Sequence, residues 1–294
     1  DEVCASCGKA EVDDVKLKKC ACDLVKYCSV ACQKNHRQQH EEECEKRRAE
    51  LRGRDLFTMP DISHLGECPI CCLPMPLDLQ KSILMSCCSQ LICNGCAYAN
   101  RMRELKEGLE QRCAFCREPV AKSQKEVHKN VMKRVKKNDP VAMRSMGKKN
   151  HKEGNYDSSI KYWTKAAELG DAEAHYELSI TYRDGEGVEK DEKKAIYHTE
   201  EAAIGGHASA RHNLGCKEAK NGRFDRARKH FIIAANLGYN KSLNALKEQL
   251  YANGLASKED YADALRAYQA AVDATKSTMR EVAEGDVNAA VMDY

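Results

Sequence analysis

The stretch YWTKAAELGDAEAHYELS, residues 162–179, has two further copies along the chain. They are HTEEAAIGGHASARHNLG (198–215) and HFIIAANLGYNKSLNALK (230–247). The three copies align on one glycine each, Gly170, Gly206 and Gly238, which gives periods of 36 and 32 residues. Paired alanines precede each glycine, and a glycine in this position ends a helix. Because repeats of this length are typical of stacked helix pairs, the sequence predicts an all-α helical-repeat solenoid.

The segment YRDGEGVEKDEKKA, Tyr182 to Ala195, resembles the Sel-one-like repeat, a relative of the tetratricopeptide repeat. We expect four repeats over residues 139–275, the last of which lacks its glycine, as a terminal repeat facing water can. The resemblance implies binding of peptides or proteins on a concave surface. Residues 276–294 are left as a C-terminal tail, and Cys216 is expected to be a small core residue.

Cysteine is concentrated before the solenoid. The chain has 294 residues and 17 cysteines, sixteen of which precede residue 117. They form one group from Cys4 to Cys44 and another from Cys68 to Cys116. In a reducing compartment, cysteine pairs at CxxC spacing are more often zinc ligands than disulfides. We therefore expect two small cysteine-rich zinc-binding modules of the cross-brace type, with a disulfide framework as the alternative.

Composition and motifs exclude several classes of function. No apolar run approaches the roughly 18 residues that span a bilayer, and no signal peptide is evident, so an intracellular protein, cytoplasmic or nuclear, without a membrane partner is expected. The net charge of +3 gives no reason to expect a nucleic-acid partner for the whole chain. The sequence contains no phosphate-cradling glycine loop and no nucleophile elbow, which argues against a metal-independent enzyme.

The first cysteine group supplies seven thiolates and a histidine, enough ligands for two tetrahedral zinc ions. A helix is expected after Ser29, a plausible N-cap, and two histidines share its face with two cysteines. These residues are Cys32, His36, His40 and Cys44. Spacing alone does not decide whether His36 or His40 is the ligand.

The motif KYCSVACQ, followed by His and Cys, resembles the MYND zinc finger, assigned to residues 1–48. The resemblance implies that the first and third ligand pairs share one zinc ion and the second and fourth pairs share the other. The two sets are Cys4, Cys7, Cys28, Cys32 and Cys20, Cys22, His40, Cys44. MYND fingers generally bind short, often proline-containing peptides; the alternative is a metal-stapled fold without a ligand. Two departures are a Cys20–Cys22 gap one residue shorter than usual and Arg37 where tryptophan is common.

The second cysteine group, residues 67–120, follows a linker, residues 49–66. Its three clear pairs are Cys68 with Cys71, Cys93 with Cys96, and Cys113 with Cys116. Two zinc ions need eight ligands, so two more must come from Cys72, Cys87 and Cys88. The region resembles a RING finger, whose ligand pairs also interleave. In that family the second ligand pair falls where Cys87 and Cys88 stand here. The resemblance therefore implies the sets Cys68, Cys71, Cys93, Cys96 and Cys87, Cys88, Cys113, Cys116.

The pair Cys87–Cys88 requires a particular backbone. Adjacent residues on a strand point to opposite faces, so both can bind one ion only if the chain turns there. A disulfide between them is the redox alternative. Cys72 is expected to be an ordinary buried thiol.

The RING resemblance also implies a function for the surface of this module. All eight thiolates close the two sites, and catalytic zinc needs an open position. In the RING family the surface recruits a ubiquitin-conjugating enzyme: Ile70 matches the apolar residue that contacts this enzyme, and Arg117 matches the cation that orients the thioester. Ala114 departs from the usual proline. The alternative interpretation is that Ile70 is a loop core residue and Arg117 is solvated.

Residues 121–138 form a basic linker, KSQKEVHKNVMKRVKK at its centre. As a nuclear-import or nucleic-acid signal the segment is weak. A solvated helix that packs through Val127, Val131 and Val135, each four residues apart, is the favoured interpretation.

The whole arrangement resembles multidomain proteins that are abundant in diatoms and related algae. The preferred hypothesis is a RING-type ubiquitin ligase whose MYND finger and repeats select partner proteins or peptides. The alternative is a non-enzymatic adapter, and a third hypothesis is nucleic-acid binding through residues 122–137. Sixteen ligands predict four zinc ions per chain.

Overall fold

The computed structural model describes residues 3–11 and 16–286. The chain divides into two compact units, the first ending at Thr58 and the second beginning at Met59. Within the described residues, no helix combines the length and the apolar character needed to cross a membrane.

The first unit is a small sheet followed by one long helix. Strands β1 (Lys18–Lys19) and β2 (Lys26–Tyr27) pair antiparallel, and α1 spans Val30–Phe57. The helix begins at Ser29, whose side chain accepts a hydrogen bond from the N–H of Cys32. The buried core consists of Cys4, Leu17, Cys20, Cys22 and Tyr27. Because three of these five residues are cysteines, the unit depends on its thiols rather than on an apolar core.

The second unit opens with a zinc module, which we define as residues 67–120. A 3₁₀ turn (Leu79–Lys81) leads into the antiparallel pair β3 (Ser82–Leu84) and β4 (Leu91–Cys93), in which Ile83 lies opposite Ile92. Helix α2, Asn94–Lys106, follows directly. The buried core of the zinc module consists of Cys68, Met75, Ile92, Cys93 and Cys113.

A succession of helices occupies most of the remaining chain, and each helix packs against the next one in chain order. They are α3 (Gln124–Val135), α4 (Pro140–Lys152), α5 (Tyr156–Glu168), α6 (Ala172–Asp184), α7 (Glu192–Ile204), α8 (Ala208–Lys220) and α9 (Phe224–Asn236). Gly170, Gly206 and Gly238 follow α5, α7 and α9 with φ between 82° and 86°, a conformation that favours glycine. Each glycine therefore ends one helix pair, as the alignment predicted.

Two further glycines allow the helices of a pair to approach closely. A Cβ on Gly147 of α4 would lie 2.3 Å from Nε1 of Trp163 on α5. A Cβ on Gly215 of α8 would lie 2.6 Å from Cε1 of Phe231 on α9. Both aromatic side chains are buried, so the glycines make room for the largest core residues of their repeats.

The last part of the chain returns to the zinc module. After α10 (Asn240–Ala245), a π-helical turn (Leu246–Leu250) and a 3₁₀ turn (Tyr251–Asn253) lead to α11 (Lys258–Ala274). Helix α12, Thr278–Gly285, then packs against α2. The segment that the sequence left as a tail thus contains a helix with a tertiary contact, and residues 287–294 lie outside the described part.

Candidate metal centres

Five short turns that present cysteines share one backbone geometry. The residue after the second ligand position has a positive φ of 55–73° and donates its N–H to the carbonyl at the first position, at 2.8–3.0 Å. These residues are Gly8, Asp23, Cys72, Ser89 and Arg117. Four of them are not glycine, so the left-handed backbone costs energy that another interaction must offset. A metal ion held by the turn is such an interaction.

The first cluster joins a turn to the start of α1. Sγ of Cys28 lies 3.6 Å from Sγ of Cys7 and 3.6 Å from Sγ of Cys32. Together with Cys4, these residues place four sulfur atoms within 4.8 Å of one another.

The second cluster contains the histidine. Nε2 of His40 lies 3.0 Å from Sγ of Cys22, and Sγ of Cys20 lies 3.5 Å from Sγ of Cys44. His36 lies outside the cluster, because its Nδ1 forms a 3.0 Å hydrogen bond with the hydroxyl of Tyr27. The structure thus separates the two histidines that spacing left equivalent.

The third cluster joins the turn at the start of the zinc module to the junction between β4 and α2. Cys68 and Cys71 come from one turn, and Cys93 and Cys96 from the end of β4 and the first turn of α2. Sγ of Cys71 lies 3.8 Å from Sγ of Cys93. Cys72 is exposed, so the expectation of a buried thiol was wrong: the left-handed residue after a ligand pair faces outward.

The fourth cluster depends on the turn between β3 and β4. Met85 takes the first position of this turn and Cys88 the second ligand position, while Cys87 faces the cluster from inside the turn. Sγ–Sγ distances are 3.8 Å from Cys88 to Cys113 and 3.4 Å from Cys87 to Cys116. The backbone therefore turns at Cys87 and Cys88, so both side chains lie in the same cluster.

These distances fit tetrahedral zinc. Zn–S bonds of about 2.3 Å in a tetrahedron separate two sulfurs by roughly 3.8 Å, whereas a disulfide holds them at about 2.05 Å. The Sγ–Sγ distances quoted above run from 3.4 to 3.8 Å, and all the cysteines, Cys87 and Cys88 included, are free thiols. Cysteine with one histidine is also the donor set that zinc prefers.

The thiols of each cluster are so close together that they shift one another's pKa values in opposite directions. Hydrogen bonds, first from the backbone of Cys28, lower the pKa of Cys4 to about 6, while the bond to Cys32 raises the pKa of Cys28 to about 12. In the third cluster the hydrogen bond with Cys93 lowers the pKa of Cys68 to about 4 and raises that of Cys93. Crowded thiolates cannot all ionise unless a cation replaces their protons.

The two residues matched to conjugating-enzyme contacts differ in their surroundings. Ile70 is 41% exposed, so it is not a loop core residue. Arg117 is not simply solvated: Nη1 donates to Asn100 at 2.7 Å and Nη2 to the buried Glu104 at 3.0 Å. The arginine therefore also holds its turn against α2.

A fifth cluster was not found from the sequence. Oε2 of Glu173 accepts hydrogen bonds from Nε2 of His64 at 3.2 Å and Nε2 of His207 at 2.9 Å, and Oε1 accepts from Lys148 at 2.6 Å. Nδ1 of His207 accepts from the N–H of Ala210, so its proton is on Nε2. With that proton in place and an ammonium on the same carboxylate, this is a hydrogen-bonded ion cluster rather than a metal site. It anchors the segment before the zinc module to α6 and α8.

Two protein-family models match separate parts of the chain. The MYND finger model matches residues 4–44, and the Sel1 repeat model matches residues 140–171, 172–207 and 208–239. The chain joins a MYND finger to Sel1 repeats. The predicted architecture, a cysteine-rich zinc-binding region followed by a helical-repeat solenoid, is confirmed. The MYND finger and the cysteine clusters together indicate zinc binding.

Two solved structures are similar to part of this chain. The crystal structure of a Sel1 repeat protein from Oxalobacter formigenes is 25% identical, covers 61% of this chain and 72% of its own, and has a TM-score of 0.46. The second is c5321, a protective antigen of uropathogenic Escherichia coli strains with an SLR fold. It is 19% identical with a TM-score of 0.39, and the match covers 65% of this chain and 40% of that one. No curated protein matched the chain.

Proposed function

We propose that this chain is a zinc-stabilised adapter that gathers partner proteins on its MYND finger and its helical repeats. The observation that carries the proposal is a groove between α3 and α4, with a volume of about 720 Å³. Val127 and Val131 of α3 and Met146 of α4 line it. Val135, one turn further, packs against the core around Met143 and Trp163 instead.

Charge indicates which partner suits this groove. Lys125, Lys149 and Lys152 also line it and are exposed. Among the described residues, Lys125 and Lys152 form no ion pair, so their charges are available to a ligand. An apolar surface bordered by free cations fits an amphipathic segment that carries acidic residues between its apolar anchors.

The MYND finger offers a second groove, of about 360 Å³, beside α1. Tyr27, Val30 and Arg37 line it, and Val30 is 63% exposed. Arg37, which stands where tryptophan is common in this family, lies 3.8 Å from Glu41. The arginine makes this groove more polar, so we propose a peptide ligand with a polar or acidic residue at that position.

Zinc has a structural role in this proposal. We propose that the sixteen side chains of the four clusters bind four zinc ions, two in each cysteine-rich module. Each cluster supplies four ligands, so a tetrahedral ion in it has no open position for water or substrate. The ions therefore hold loops together and leave recognition to the surface.

A peptide-display selection on the purified, zinc-loaded chain tests the adapter. Selected peptides should combine apolar residues at helical spacing with Asp or Glu. The double variant Lys125→Glu/Lys152→Glu should bind these peptides at least about tenfold more weakly. Lys193→Glu, which reverses an exposed charge outside the groove, is the matched control. Binders that keep their affinity for the double variant would contradict the assignment of the groove.

A RING-type ubiquitin ligase is the second candidate, favoured by the exposure of Ile70. Phe115, in the turn between Cys113 and Cys116, is also exposed, at 47%. Two exposed apolar side chains on turns that present candidate zinc ligands suit a surface that recruits a ubiquitin-conjugating enzyme. Catalysis would then consist of positioning the thioester rather than attacking it.

Ubiquitin, activating enzyme and a panel of conjugating enzymes separate the two candidates. A ligase forms chains that Ile70→Ala abolishes while the zinc content is unchanged. An adapter forms none with any carrier. Ile70 is the sharper probe, because Arg117 also supports the fold through Glu104.

A further inference from the structure

Arg280 connects the C-terminal helix to the third cysteine cluster. Its side chain is buried, with Nη2 3.4 Å from Sγ of Cys71 and 3.3 Å from the carbonyl oxygen of Leu73. Nη1 donates to the carbonyl oxygens of Pro74 at 2.8 Å and Thr275 at 2.6 Å. One guanidinium thus contacts a candidate zinc ligand and the turn that presents it.

We propose that Arg280 is an outer-sphere partner of zinc in the third cluster, and that it makes zinc binding there and docking of α12 mutually dependent. The inference rests on the zinc binding proposed above.

The charge of the cluster explains why a cation belongs there. Four thiolates and one Zn²⁺ carry a net charge of 2−, and Cys68 and Cys93 are at most 1% exposed, so water screens this charge poorly. Burying uncompensated charge is unfavourable. Arginine stays protonated when buried, and a hydrogen bond from it to a ligand sulfur stabilises the thiolate form that binds metal.

The rest of α12 is fitted to the same surface. A Cβ on Gly95 of α2 would lie 2.8 Å from the backbone nitrogen of Arg280, so the two helices meet without an intervening side chain. Glu284 pairs with Lys81 at 3.0 Å, and Asp286 accepts a hydrogen bond from the Tyr98 hydroxyl at 2.8 Å. The close approach of α12 to α2 at Gly95 brings the guanidinium to the cluster in one orientation.

Metal loss removes what Arg280 binds. The carbonyl oxygens of Leu73 and Pro74 accept from the guanidinium because the turn that begins at Cys68 is folded. In this turn the N–H of Cys68 donates to the carbonyl oxygen of Leu73 at 3.0 Å. Without zinc the turn is no longer fixed by two ligands, so the carbonyl oxygens that accept from Arg280 lose their fixed positions. Because coupling is reciprocal, a docked α12 must raise zinc affinity by the factor that zinc raises docking.

The test compares the full zinc-loaded chain with Arg280→Met, which keeps the length of the side chain and removes its charge and donors. Competition with a zinc chelator gives the affinity of each site, and hydrogen exchange of residues 278–285 reports docking. In Arg280→Met we expect one of the four ions to bind about 10–100-fold more weakly and α12 to exchange faster. Glu284→Gln, which breaks only the exposed pair with Lys81, should leave that ion bound as in the wild type.

Arg280→Lys keeps the charge without the planar fork, so an intermediate loss of affinity is expected even if Arg280→Met folds poorly. Four ions held as tightly in both Arg280 variants as in the wild type would overturn the inference. So would faster exchange of α12 without any change in zinc affinity. A wild-type chain that binds no zinc would instead refute the zinc binding on which the inference rests.

Discussion

Arg117 donates a hydrogen bond from Nη2 to Oε1 of Glu104 at 3.0 Å, and the carboxylate is 1% exposed. A buried carboxylate that loses a partner is destabilised by about 1–3 kcal/mol. We therefore predict that Arg117→Ala lowers the free energy of unfolding of the zinc module by that amount, as measured by hydrogen exchange in α2.

A double-mutant cycle supplies the control for this pair. In a Glu104→Gln background no buried charge remains to be compensated, so Arg117→Ala should cost less there. An equal cost in both backgrounds would show that Arg117 does not act through Glu104.

Glu173 receives three donors from separate parts of the second unit. Burial alone would raise the pKa of this carboxyl, but hydrogen bonds from His207 and His64 hold it well below its ordinary range. We expect Glu173→Gln to destabilise the solenoid by about 1–3 kcal/mol and to speed hydrogen exchange around residues 62–66. Glu177→Gln is the matched control, because Glu177 pairs with Lys148 at 3.0 Å. Equal effects of the two variants would contradict the role given to the histidines.

Gly147 tests the close packing within a repeat. A methyl group there would overlap the indole of Trp163, and overpacking of this kind costs about 1–3 kcal/mol. Gly147→Ala should therefore lower the urea midpoint, read from the fluorescence of Trp163, the sole tryptophan. Gly285→Ala, with no atom within 4 Å of the added carbon, should leave the midpoint almost unchanged. A stabilised Gly147→Ala would contradict the packing.

His230 makes the solenoid sensitive to acid. Burial, followed by the nearby charge of Arg211, lowers the pKa of this histidine to about 3. The unfolded chain has the ordinary pKa of about 6.5, so between these values it binds a proton that the folded chain does not, and stability falls as pH falls below 6.5.

At pH 5 this difference amounts to about 2 kcal/mol. His230→Leu should therefore lose about 2 kcal/mol less than the wild type between pH 7 and pH 5, measured by urea unfolding of Trp163. His128→Leu, at an exposed position, should follow the wild type. The same pH dependence in all three proteins would show that His230 does not titrate on unfolding.

Local and periodic features were accessible from the sequence. Gly170, Gly206 and Gly238 marked the ends of the helix pairs because a repeat writes its period directly into the chain. Cysteine pairs marked the metal-binding turns because both ligands of a turn are close in sequence. Spacing left His36 and His40 equivalent, and only the fold distinguishes them. The hydroxyl of Tyr27 is hydrogen-bonded to His36, whereas Sγ of Cys22 lies against His40.

Contacts between distant residues left no such signal. Arg280 lies in α12, after the solenoid helices in the sequence, yet it contacts Cys71 of the zinc module. His64 precedes the zinc module and contacts Glu173, which follows it in the sequence. Neither pair has a spacing or composition that predicts it. The positive φ of Arg117 was equally hidden, because glycine, the residue that would have indicated it, is absent there.

Native mass spectrometry of the zinc-loaded full chain tests the central claim, that four closed clusters organise the two cysteine-rich modules. The account predicts four zinc ions per chain, and three for the paired variant Cys87→Ser/Cys88→Ser. Two or three ions in the wild type, under conditions where the chain is folded, would contradict it.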